Sequence, residues 1–174
     1  MPEENRSDTC CFTGHRHIPA SEYNALDQRL EAEIENLIQQ GVRYFGTGGA
    51  VGFDTMAAFA VLRLRMRCPH IQLILVLPCQ TQARGWDKVN KKIYNQIRRQ
   101  ADKVVYVSKQ YTPGCMQERN RHLVNHSAAC ICYLTNPKSG AAYTVNYAKQ
   151  SGLRIINLAQ PPQLPLWHTP PPAR

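Results

Sequence analysis

The 174-residue chain is 43% hydrophobic and carries a formal net charge of +9. That length suits one domain with a sizeable core, and the hydrophobic share excludes a disordered chain. No apolar run approaches the ~20 residues of a membrane span, and the polar start, Met1 to Asp8, reads without a signal peptide, so a cytoplasmic protein with no membrane partner is expected.

Residues 8–13 read as a first strand. Ser21 stands as the N-cap of a helix, Leu26, Leu30, Ile34, Leu37 and Ile38 follow at helical spacing, and Gly41 closes it. Residues 43–47 form a second strand and 54–66 a second helix, with Met56, Ala57, Ala60, Val61 and Leu64 on one face. Residues 71–77 are almost wholly apolar, the mark of a strand covered on both faces, and Pro78 stops them. Helices over 87–100, 115–126 and 141–150 then alternate with strands over 103–108, 129–134 and 153–158. Such alternation predicts an α/β fold, a three-layer α/β/α Rossmann-like sandwich with a mainly parallel sheet. A single domain over 8–160 is expected, with a flexible start at 1–7 and a proline-rich tail at 161–174.

Seven cysteines, an odd number without a C-x-x-C pair, do not make a disulfide framework. Cys10, Cys11, Cys130 and Cys132 fall in strands as small core residues. Cys115 follows Gly114 at a helix start, a position that can lower a thiol pKa. No metal site is expected: the histidines are scattered, and His122 and His126 lack the glutamate of a zinc-protease helix. Basic residues gather at Arg63, Arg65 and Arg67 and between Lys88 and Lys103, which fits either an acidic partner or solvated helix faces.

Glycine-rich turns placed where a strand hands over to a helix carry the functional signal. One runs from Thr47 through Gly48, Gly49 and Gly52 to Asp54; another runs from Ser139 and Gly140 to Thr144. Glycine lets backbone amides approach a ligand, and a helix start adds partial positive charge, so two such turns predict a cradle for phosphate. Asp54 has two readings, a ribose-binding carboxylate or a first-turn acid of its helix. Gly14, His15 and Arg16 follow the first strand, where an arginine suits bidentate capture of phosphate. Arg119 and Asn120 lie one turn into a helix and are placed toward the same cleft. Trp86 and Tyr111, in loops after the third and fourth strands, either stack on a base or serve as core and lid. No nucleophile, base and orienter can be assembled from the spacing, so no catalytic residue and no cofactor is named.

Thr13 to Arg16, Gly48 to Ala58, Cys115 to Arg121 and Ser139 to Thr144, in this order, resemble the YpsA-like family of the SLOG superfamily. The resemblance implies a Rossmann-like fold and a pocket for nucleotides or nucleotide-derived ligands such as ADP-ribose or NAD. It also suggests two relatives. The LOG-type phosphoribohydrolases have a catalytic glutamate where this chain has Val145 or Asn146, so a hydrolase of that kind would need another acid, Asp54 or Glu118. The core of DNA-processing protein A is similar at Gly48 to Asp54, Arg119 to Arg121 and Ser139 to Thr144, which makes single-stranded nucleic acid a possible partner. A homodimer is expected.

Overall fold

The computed structural model describes residues 3–159. The expected proline-rich tail lies outside them. A short 3-10 turn, Glu3–Asp8, leads into the domain, and the Arg6 guanidinium donates to the carbonyls of Ser127 and Ser151 at 3.1 Å each.

Among the described residues six strands and five α-helices alternate: β1 (Thr9–Gly14), α1 (Ala20–Gln39), β2 (Tyr44–Thr47), α2 (Phe53–Arg67), β3 (Gln72–Leu77), α3 (Lys88–Gln100), β4 (Lys103–Tyr106), α4 (Cys115–Asn125), β5 (Ala129–Tyr133), α5 (Gly140–Gln150) and β6 (Arg154–Asn157). All pairings are parallel, in the order β4-β3-β2-β1-β5-β6. The first three crossovers step outward in one direction and keep α1, α2 and α3 packed together on one face. The chain then returns from β4 to β5, so α4 and α5 cover the other face. Strand alternation supplies both cores. In β3, Leu73, Leu75 and Leu77 face the first helix layer, and Ile74 and Val76 face the second. The cysteines divide likewise: Cys10 enters the first layer, and Cys11, Cys130 and Cys132 the second.

Two helix starts differ from the sequence expectation. Pro19, not Ser21, precedes α1; its φ of −56° suits helix entry, its carbonyl accepts from Glu22 N at 2.9 Å, and no side chain caps the helix. Ser139 is itself the cap of α5, its Oγ accepting from Ala142 N at 3.2 Å. The strand order reverses between β1 and β5. At such a switch point the loops leaving two adjacent strands diverge, one to each face, and open a crevice at the carboxyl edge.

Candidate functional site

The loop between β2 and α2 is folded on itself. Gly49 and Gly52 have φ of +70° and +84°, a region that side-chained residues rarely adopt. Asp54 Oδ2 accepts from Ala50 N at 3.2 Å, and Thr55 Oγ1 donates to the Ala50 carbonyl at 3.0 Å. The buried Thr47 hydroxyl donates to the Asp54 carbonyl at 3.4 Å. Asp54 is thus a staple of the loop; the N-cap position belongs to Gly52, where no side chain caps. The Gly48 carbonyl accepts from Arg119 Nη1 and, at 3.2 Å, from Gln82 Nε2. A side chain on Gly48 would collide with the Arg119 guanidinium, and one on Gly52 with the Arg16 backbone.

Asp54 and Arg119 are 7% and 4% exposed, so their charges act on each other in a dry environment. Burial raises the Asp54 carboxyl above the usual aspartate range, opposed by Arg119, the Ala50 N–H, Arg16 and the Gly48 N–H. Burial lowers the Arg119 guanidinium, opposed chiefly by Asp54. Arg119 Nε donates to Asn120 Oδ1 at 2.7 Å, which turns the Asn120 side chain along the guanidinium.

A cavity of about 720 Å³ opens at the switch point. Gly14, His15 and Arg16 form one wall, after β1; Lys138, Ser139 and Gly140 form the facing wall, at the start of α5. Arg119 and Asn120 come from α4, and Asp54 is the only carboxylate in the lining among the described residues. His15 joins the two walls: its Nε2 accepts from Thr135 N at 2.8 Å and Asn136 N at 3.3 Å. Arg16 is exposed and makes no hydrogen bond or ion pair among the described residues.

Of the residues singled out in the sequence, Gly14, His15, Arg16, Asp54, Arg119, Asn120, Ser139 and Gly140 line the cavity. Thr47, Gly48, Gly49, Gly52 and Thr144 lie outside the lining; Thr144 is buried and donates to the Gly140 carbonyl at 3.4 Å. Lys138, Gln117 and Tyr143 were missed. Lys138 had a signal, a cation just before a capping serine. Gln82, which supports Gly48 from 34 residues away, had none.

Other expectations are corrected. Cys115 is completely buried outside the cavity, so its thiol has no access to a reaction partner. Trp86 packs edge-on against Tyr94, with centroids 5.3 Å apart, and Tyr111 is exposed away from the lining; neither is placed to stack on a cavity ligand. Glu118 is exposed and outside the lining, Val145 is in the core and Asn146 is exposed. Arg63, Arg65 and Arg67 are not a free basic patch: Arg63 pairs with Asp27 and Glu31, Arg67 with Glu31 and Glu35, and Arg65 with Asp102.

A family model described as the YspA SLOG family matches residues 10–156. The chain belongs to the YspA SLOG family. Its glycine turns stand at the carboxyl edge of a parallel sheet. An uncharacterized SPbeta prophage-derived protein of Bacillus subtilis, YoqJ, is 33% identical over 141 residues, covering 74% of this chain and 82% of that protein. Among solved structures, DNA processing protein A from Streptococcus pneumoniae is similar, with a TM-score of 0.63 at 19% identity, covering 86% of this chain and 49% of that one. The Helicobacter pylori protein of the same name, whose structure concerns its single-stranded DNA binding mode, gives 0.64 at 19% identity, covering 88% and 66%. The chain therefore spans about half and about two thirds of those two proteins, and the likeness establishes the shared fold.

Proposed function

We propose that the switch-point cavity binds a nucleotide or a nucleotide-derived ligand of the ADP-ribose or NAD kind. The observation that carries this reading is the cavity's charge arrangement: cations Arg16 and Lys138 on facing walls, and one buried carboxylate, Asp54, in the lining. The cations and the amides at the start of α5 suit phosphate oxygens. Asp54, held by the glycine loop, suits a ribose hydroxyl. An N-glycosidic reaction at this site would fall to Asp54, since Glu118 stands outside the lining.

The test is a thermal-shift panel at fixed salt with AMP, ADP-ribose, NAD and a short single-stranded oligonucleotide. A ligand at 100 times its dissociation constant stabilises by about 2.7 kcal/mol, a readable shift. Stabilisation by ADP-ribose or NAD that is lost in Arg16→Ala supports the reading. Arg16 is exposed, so its truncation leaves the core untouched. No shift with any nucleotide sinks it.

A second reading, a surface for single-stranded nucleic acid, is favoured by α3. Lys88, Lys92 and Arg99 fall on one exposed stripe opposite its buried Tyr94 and Ile97, with Lys91 half-buried at its edge, and none of the four makes an ion pair among the described residues. A shift with the oligonucleotide alone, fading as salt rises, would support this surface instead.

A further inference from the structure

Backbone N–H groups only donate, so the two amides that reach His15 Nε2 define its state. The ring nitrogen offers a lone pair to Thr135 and Asn136, and the proton of the neutral imidazole sits on Nδ1. The residue is fixed at both ends of its backbone: His15 N donates to the Tyr133 carbonyl at 3.3 Å, and Phe53 N donates to the His15 carbonyl at 3.1 Å. The ring also lies edge-on to Tyr133, with centroids 5.8 Å apart.

The hydrogen bonds continue from Asn136 into the facing cavity wall. Asn136 Oδ1 accepts from Lys138 N at 3.0 Å, and the Asn136 carbonyl accepts from Ser139 Oγ at 2.8 Å and from Ser139 N at 3.3 Å. Ser139 Oγ in turn caps α5. One imidazole lone pair is therefore the first link of the chain that places Lys138, Ser139 and Gly140.

From this geometry we infer that His15 is a proton-released clasp: neutral, it holds the wall at the start of α5 in its binding form, and a second proton lets that wall go. Protonation puts a hydrogen on Nε2, which removes the acceptor and turns it toward two amide hydrogens. For the ligand this rests on the reading of the cavity proposed above; for the wall it stands on the hydrogen bonds alone.

The ionisable groups around the ring are few. Tyr133 on β5 donates to Glu22 Oε2 of α1 at 2.6 Å, and burial, with this bond, pushes its hydroxyl up to about 12, so it keeps its proton. Arg16 and His17 follow His15 in the same loop. Lys138 stands on the held wall, and Asp54 of α2 and Arg119 of α4 line the same cavity. Among the described residues none of these bonds to the imidazole, and no carboxylate pairs with it.

The experiment is an NMR titration of the full chain from about pH 8 to about pH 5, read at the His15 ring signals. The Thr135 and Asn136 amide signals are expected to shift with the midpoint of the His15 ring signals. In His15→Gln, whose amide oxygen offers an acceptor of similar reach without taking a proton, they stay still. ADP-ribose is the probe for the cavity, because its diester pyrophosphate keeps its charge over this range, whereas a phosphomonoester takes up a proton near about pH 6. Its affinity is expected to fall about three- to tenfold from the high-pH side of the His15 ring transition to the low-pH side in the wild type, and to stay level in His15→Gln. Amides that ignore the His15 titration overturn the clasp, even where His15→Gln does not fold. An unchanged wild-type affinity overturns its role in binding. Amides that titrate while ADP-ribose binds at neither pH support the clasp and sink the nucleotide reading.

Discussion

The guanidinium of Arg119 occupies the space in which a side chain on Gly48 would stand, although the two residues are 71 positions apart. Gly48 is not among the glycines with positive φ, so its substitution is opposed by contact and not by backbone strain. Gly48→Ala is expected to destabilise the fold by about 1–3 kcal/mol through overpacking. Arg119→Ala is expected to lose about 1–3 kcal/mol, because the Gly48 carbonyl and the buried Asp54 lose their cationic partner. The double variant should lose less than the sum, since the new methyl no longer meets the guanidinium. Urea denaturation of the four proteins measures the coupling; additive losses would mean that the two residues do not compete for one space.

Asp54 makes stability depend on pH with an unusual sign for a carboxylate. Burial, the largest influence, raises it in the folded chain above its ordinary value, and Arg119 opposes this most strongly. Between the ordinary aspartate pKa of about 3.9 and the raised one, the folded chain binds more protons than the unfolded chain. Stability from this group is therefore full below that window and lost as pH rises through it. The wild type should lose stability relative to Asp54→Asn as pH rises from about 3.5 toward neutrality. In Arg119→Ala the loss should extend to higher pH, because the charge holding Asp54 down is gone. Urea midpoints at a series of pH values read both effects. A wild type that gains on Asp54→Asn over this range would show that the neighbours outweigh burial.

The order of strands and helices was legible because short apolar runs, periodic stripes and Gly or Pro stops agree with one another along the chain. The sheet order was not legible, because right-handed crossovers admit several orders for the same alternation, and only the structure shows the return from β4 to the far side of β1 that opens the crevice. What stayed hidden is contact across the fold. Helical spacing placed Arg119 near the cleft without revealing that it is buried against Gly48. His15 stood out as a loop histidine, but its partners, Thr135 and Asn136, are 120 and 121 residues away. The glycines of the two turns looked alike in the sequence. In the structure Gly48 makes room for Arg119 and Gly52 for the Arg16 backbone, whereas Gly140 has open space before it. The pairing of the α2 arginines left one trace: Asp27, Glu31 and Glu35 recur every four residues, an acidic stripe on α1 that calls for a basic neighbour.

That pairing separates two basic faces that composition cannot tell apart. Arg63 and Arg67 are 46% and 63% exposed and spend their charge on α1, and exposed pairs of this kind contribute about 0–1 kcal/mol each. Arg63→Gln with Arg67→Gln should leave stability within about 1–2 kcal/mol of the wild type and leave any oligonucleotide affinity unchanged. Replacing Lys88, Lys91 and Lys92 by glutamine should weaken that affinity and flatten its dependence on salt, since fewer counterions are released. Fluorescence anisotropy with a labelled oligonucleotide between about 50 and 200 mM salt makes the comparison. Equal effects of the two sets would mean that net charge alone governs the binding.

Gly140 offers the cleanest separation of fold from function. It is the first residue of α5, lines the cavity, has no positive φ, and a Cβ built on it meets nothing within 4 Å. The fold therefore has no use for a glycine there, and Gly140→Ala should hold or raise stability, by up to about 1 kcal/mol, through a less flexible unfolded chain. The same methyl would stand on the wall assigned to phosphate, where only a bare backbone lets an anion reach the amides. ADP-ribose binding by calorimetry should weaken several-fold in Gly140→Ala and further in Gly140→Val, with urea midpoints unchanged or higher in the alanine variant. If Gly140→Ala binds as well as the wild type, the anion is not seated at the start of α5, and the search for it moves to the Arg16 side of the cavity.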